Sequence, residues 1–172
     1  MKLLDLFKTF TTKDEEISKY SKLHELIARD FESLTDEQAL VAACVSGLMA
    51  RVAYVDFHVD DKEVEKIEHL VQEFNFNFGV SAKKLVDVAI DHIKEMAGIE
   101  NHLYVRPLNE VLDKDKRYEI IQCLFLIAAS DGSVEGIESE EIRTISKGFE
   151  LSSQHFRAAQ AEVSDFLKSL AR

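Results

Sequence analysis

The feature that most constrains this chain is a repeat. Shifted by 75 residues, two stretches align without a gap: Ala53 on Ala128, Asp56 on Asp131, Val59 on Val134, Asp60 on Glu135, Glu63 on Glu138, Ile67 on Ile142, Leu70 on Ile145 and Phe74 on Phe149. In each copy an apolar helix ends at an aspartate. A valine follows at three, an acid at four, a glutamate at seven, and apolar residues at eleven, fourteen and eighteen. The last three positions form the stripe of a helix facing a core. One such unit cannot bury its apolar face alone, so two copies are expected to pack against each other as helix-loop-helix halves related by a pseudo-two-fold axis. That arrangement would bring the two acidic loops together. The copies span about residues 40–75 and 115–150.

The fold class predicted is all-α, with about seven helices. One proline and six glycines in 172 residues leave little to interrupt helices, and no segment sustains the alternation of a strand. Apolar spacing predicts helices over 14–32, from Asp36 to about Val55 behind an N-cap at Thr35, over Asp60–Phe74, from "GVSAKKL" to about Ala97, and over Lys114–Ser130, Glu138–Phe149 and Ser152–Leu170. Pro107, in Gly98–Asp113, removes an amide donor and crowds the preceding turn, so no continuous helix is expected there. Residues 1–33 read as an amphipathic extension with a first helix, and 34–172 as the domain that carries the repeat.

The extension sets Leu3, Leu4, Leu6, Phe7 and Phe10 among Lys2, Lys8 and Lys13. Three lysines and five apolar residues make a weak membrane anchor, so docking on protein is expected. Asp5 and Lys8 break the run a signal peptide needs. Arg51 lies within Ala39–Val55, which is too short for a membrane span and reads as a buried helix. Cys44 and Cys123 stand in apolar runs without metal or redox spacing, as buried, reduced thiols. A cytoplasmic protein is expected. The net charge of −11 argues against nucleic acid, whose phosphates need clustered Lys and Arg. It suits a divalent cation or a basic protein partner.

The loop "DGSVEGIESEEI" imitates the start of a calcium EF-hand, with Asp131, Ser133, Glu135 and Gly136. The twelfth position, where a bidentate glutamate should close the shell, is Ile142, and Ile67 stands there in the first copy. The EF-hand is therefore excluded, and both isoleucines are expected to face the core. Two readings remain for the acids. Asp60 with Glu63, and Asp131 beside Gly132, can cap helices and complement their dipoles, with Glu140 and Glu141 on a solvated face. Alternatively Asp56, Asp60, Glu63, Asp131, Glu135 and Glu138 hold a hard divalent cation, Ca²⁺, Mg²⁺ or Mn²⁺, because oxygen-only ligands select hard ions over zinc. The stripes Asp61, Glu65, His69 and Asp87, Asp91, Glu95 read as exposed helix faces. No nucleophile elbow or phosphate loop is present, so no enzyme is expected. Paired carboxylates could act as acid and base, but nothing marks a substrate pocket.

"YVDFHVDDKEVEKI", "AASDGSVEGIESEEIRTI" and the run from "LNEVLDKDKRYEIIQCLFLIAASDG" to "GFELSSQHF" resemble the tellurite-resistance TerB family over roughly residues 34–167. The resemblance implies an all-helical bacterial cytoplasmic domain whose acidic positions bind divalent metal. They fall here on Asp56, Asp60, Glu63, Asp131, Glu135 and Glu138. It also implies a tellurite and stress-response setting with protein partners, membrane-associated ones included. The glycine usual after the first aspartate is present as Gly132, whereas Phe57 takes its place in the first copy. Since a bulky residue tolerates positive φ poorly, the first loop is expected to differ in shape. The alternative function is a metal-independent interaction module with an acidic docking surface. Oligomeric state is left open.

Overall fold

A computed structural model describes residues 14–73, 79–95 and 101–167. The expected N-terminal amphipathic segment, Met1–Lys13, lies outside them. The described residues form eight α-helices: α1 Asp14–Asp30, α2 Asp36–Ala53, α3 Asp61–Glu73, α4 Ala82–Glu95, α5 His102–Val111, α6 Lys114–Ala128, α7 Gly136–Gly148 and α8 Ser153–Glu162. A 3₁₀ turn, Ser164–Phe166, follows. The fold is all-α; among the described residues one isolated β-bridge joins Val134 to Leu167.

The two most apolar helices organise the core. α2 opens with a reciprocal cap: Thr35 Oγ1 accepts from the Gln38 amide at 3.2 Å, and Gln38 Oε1 accepts from the Thr35 amide at 2.9 Å. Fourteen of its eighteen residues are buried, which explains why it packs against α1, α3, α4, α5, α6 and α7. A helix apolar all round must be enclosed by others. α6 is the second hub. Asp113 caps it by accepting from the Lys116 amide at 2.8 Å, and it packs against α2, α3, α7 and α8. Thus α3 and α7, the two helices that follow the acidic loops, each touch both hubs. Their stripes, Ile67 with Leu70 and Ile142 with Ile145, are fully buried.

Two contacts fix the direction of α1. The ammonium of Lys84, early in α4, donates to the Asp30 carbonyl at 2.9 Å, while Lys22 lies 4.0 Å from Glu95 at the far end of α4. α1 therefore runs antiparallel to α4. The short Phe31–Thr35 connection turns α2 back along α1, so α1 begins at the end of the bundle where α2 finishes.

Among the described residues the count is eight rather than about seven because Pro107 sits inside α5. The missing amide and crowded turn cost about 3 kcal/mol. Against that, Tyr104, Val105 and Leu108 are buried in the core cluster, each worth about 1.5–3 kcal/mol. Gly47 makes room for the largest of them: a Cβ there would stand 2.8 Å from the Tyr104 ring. The last helix also ends earlier than expected, at Glu162, where Val163 turns into the 3₁₀ segment. The Val134 amide donates to the Phe166 carbonyl at 2.6 Å, a bond a continuing helix could not offer. The expected helix ends at Phe74 and about Ala97 lie outside the described residues; the other starts and ends differ from expectation by one or two residues, as fraying ends do.

Candidate functional site

The two acidic loops have the same local construction. In loop 1 (residues 54–60) Asp56 Oδ1 accepts from the His58 amide at 2.9 Å; in loop 2 (residues 129–135) Asp131 Oδ1 accepts from the Ser133 amide at 2.9 Å. The residue between takes positive φ in both, 67° at Phe57 and 107° at Gly132. The expected difference in loop shape is therefore not found. Phe57 accepts the left-handed geometry, at about 1–2 kcal/mol for an L-residue, because the aspartate bond before it and the helix after it fix the chain. Its ring stands edge-on to Tyr54, with centroids 5.8 Å apart.

Both loops close on a glutamate. The Asp60 amide donates to Glu63 Oε2 at 2.8 Å, and the Glu135 amide donates to Glu138 Oε2 at 2.7 Å. Asp60 Oδ1 also accepts from the Lys62 amide at 2.8 Å. The capping role is thus present in both copies. It takes one carboxylate oxygen of Glu63 and of Glu138, and Oε1 of each lies outside the cap.

The glutamates are nevertheless unusual for capping residues. Glu63 is 7% exposed and Glu138 9%. Burial pushes the Glu63 carboxyl up to about 7, with the charges of Asp131, Asp56 and Asp60 adding to the rise and the Asp60 amide opposing it. Burial likewise pushes Glu138 up to about 7, reinforced by Glu63, Asp131 and Glu135 and opposed by the Glu135 amide. Removing a carboxylate from water disfavours its charged form, and neighbouring carboxylates add to that cost.

The charge of Asp131 acts on both buried glutamates, and that of Glu63 on Glu138, so the two loops lie within electrostatic range of one another. Asp56 and Asp60 act on Glu63 in their own loop, and Glu135 on Glu138 in its own. Among the described residues no three His, Cys, Asp or Glu side chains are grouped to hold a metal ion. The donor chemistry fits a hard cation: carboxylate oxygens, two of them buried and mutually repelling. The side chains as placed serve the caps.

One acidic residue departs from its expected role. Glu141 is not on a solvated face: its Oε1 accepts from Arg51 Nε at 2.9 Å and from Asn101 Nδ2 at 2.9 Å. This ties the last turn of α2 and the start of α5 to α7, one turn beyond Glu138. The sequence signal was Arg51 itself, a lone cation at the end of an apolar helix that would need a partner. Glu140 does face solvent and pairs with Arg143. The two acid stripes are exposed faces, as read: His69 lies 3.4 Å from Glu73, and Lys83 pairs with Asp87. Cys44 and Cys123 are buried and form no disulfide.

Fold and site together define the class: an all-α domain with two acidic helix-loop-helix copies whose buried glutamates share one neighbourhood. The family described as "Tellurite resistance protein TerB" matches residues 37–161, most of the chain, and the chain belongs to the TerB family. No curated protein matches the chain, and neither does any solved structure. Among the described residues no helix is long and apolar enough to cross a membrane.

Proposed function

We propose that this TerB-family domain binds a hard divalent cation, Ca²⁺, Mg²⁺ or Mn²⁺, between its two acidic loops. It then acts through protein contacts in a tellurite or stress response, without catalysing a reaction. The observation that supports the reading is that two glutamates from separate loops, Glu63 and Glu138, are both buried and both feel the charge of Asp131. Acids that serve only as caps gain nothing from one another's charge, because each cap is complete within its own loop.

Glu63, Asp131 and Glu138 are the first candidates for ligands, with Asp56, Asp60 and Glu135 around them. A cation would supply the positive charge that offsets their repulsion. Glu63 and Glu138 would release protons on binding, so affinity should rise with pH through neutrality. Thermal melts at pH 7.5 test this: millimolar Ca²⁺, Mg²⁺ or Mn²⁺ raises the Tm of the native protein, and Asp131→Ala abolishes the increase. No increase with any of the three ions would remove the metal.

A second reading rests on a different observation. Phe57 is 70% exposed in loop 1, and Ile137 is 50% exposed at the start of α7. Apolar side chains among carboxylates suit a metal-independent docking surface for a basic protein partner, with apolar anchors inside a charged rim.

A further inference from the structure

One titratable side chain is enclosed without a partner. His92, in the last turn of α4, is 2% exposed, and among the described residues neither of its ring nitrogens makes a hydrogen bond. An apolar side chain there would spare the core that desolvation, so histidine is an unusual filler. It can stay enclosed only as the neutral ring, because a buried charge costs far more than a buried dipole. Its place is the contact between α4 and α1. Lys84 and Glu95 lie about three turns apart on one rim of α4, and each ties α1: Lys84 on the Asp30 carbonyl at 2.9 Å, Glu95 beside Lys22 at 4.0 Å. His92 comes one turn before Glu95, turned from that rim into the core.

The charges around it come from few sources. Burial pushes the His92 ring down, Lys22 of α1 pushes it further, and Glu95 of its own helix opposes. Asp91 and Lys94 of α4 are exposed, as is Glu25 of α1; His24 of α1, near Lys22, is half-buried. The buried face of α2 brings no charged side chain to α4, and the Ser46 hydroxyl on it is committed to the Ala42 carbonyl at 2.6 Å. From α3, Glu68 reaches Lys83, at the opposite end of α4. A proton on His92 would therefore act in one direction. It repels Lys22, on α1, and attracts Glu95, on α4, so the strain falls between the two helices and not within α4. α4 also keeps Leu85, Val86, Ala89 and Ile93 in the core. At this face α1 is held by one ammonium-carbonyl bond and one exposed ion pair, a weak kind of tie.

We infer that His92 is an acid-sensitive latch for α1: a proton on its ring sets a buried positive charge beside Lys22 and loosens α1 from α4 while the rest of the bundle stays folded. α1 precedes residues 37–161, so the latch controls an addition to the family's domain and not the domain itself. The enclosed ring takes its proton less readily than a histidine in water, ordinarily near 6.5. The contact is thus strongest above that pH and weakens as pH falls through it. The buried glutamates Glu63 and Glu138 act in the opposite sense, so only a readout local to α1 isolates the latch. Neither Lys22 nor Glu95 is one of the six loop acids, and the inference does not rest on the cation.

The test is NMR-detected hydrogen exchange of the full chain at pH 7.5 and 5.5, read as protection relative to the unstructured rate. In the native protein the amides of residues 23–27 lose protection several-fold at pH 5.5, up to the roughly tenfold that one proton can supply one unit below the ordinary histidine value. The α6 amides lose none. In His92→Leu the loss in α1 disappears, and in His92→Gln, neutral but polar, it disappears as well. Native α6 protection at pH 7.5 shows that each variant is folded. Protection in α1 that does not depend on pH overturns the inference. So does a loss that persists in both variants, which would place the titration on His24. An equal loss in α1 and α6 overturns it in favour of global unfolding.

Discussion

Loop 1 and loop 2 share a plan and differ in what surrounds them. Each has an aspartate bonded to the amide two residues on, a positive φ, a valine on the core and a glutamate reaching back to the cap amide. Loop 2 holds glycine at the strained position and is covered by the turn after α8. Loop 1 holds Phe57 there, and its valine is half open. Local geometry therefore follows the repeated residues closely. Exposure does not, because it depends on which distant segment lies across the loop. The same short motif can be a closed structural corner in one place and an available surface in another.

The comparison breaks most visibly at the stripe. Ile67→Ala and Ile142→Ala remove equivalent, fully buried side chains. Each should destabilise the protein by about 3 kcal/mol, lowering Tm by roughly 10 °C for a domain of this size. A much smaller loss at Ile67 in thermal or urea unfolding would show that α3 is not locked into the core as α7 is.

The buried glutamates sharpen it next. Glutamine keeps the cap, because its side-chain oxygen can still accept the amide. Glu63→Gln and Glu138→Gln should each raise stability at pH 7.5 without added metal, by on the order of 1–2 kcal/mol. The native carboxyls sit at about 7, above their unfolded values, so the unfolded chain holds fewer protons between roughly pH 4.5 and 7. Stability of the native protein therefore falls as pH rises through that window and levels off above it. The advantage of each glutamine should shrink as pH is lowered to 5. An advantage independent of pH would mean that charge is not its cause.

The smallest effect lies at the strained position. A Cβ on Gly132 would meet no atom within 4 Å, so Gly132→Ala measures backbone strain alone. It should cost about 1 kcal/mol. Phe57→Gly should change stability by less, since relief of positive φ is set against the lost contact with Tyr54 and the freer unfolded chain. Equal and neutral melts for both variants would show that the loops are not held in this geometry.

Much of this was legible from the residues. Periodicity and the scarcity of helix breakers gave the helical class, and the isoleucine at position twelve of each copy pointed inward because an apolar side chain there had no other use. The cap of loop 1 followed from Asp60 with a glutamate three residues on, whereas in loop 2 the cap expected at Asp131 stands at Glu135 with Glu138. α5 was not legible: a rule about one proline is local, and the burial of Tyr104 against Gly47 that outweighs it joins residues far apart in the chain. Glu141 was misread for the same reason, since nothing near it announces Arg51 or Asn101.

The sequence by itself determined the family, the helical class and the cap at Asp60 and Glu63, because spacing and capping act within a few residues. Only the tertiary structure decided that the charge of Asp131 reaches both buried glutamates, that α7 is tied to α2 through Arg51, and that Val134 is covered while Val59 is half-buried. Those outcomes depend on burial and on charges brought together from distant parts of the chain, and such terms exist only once the helices have packed.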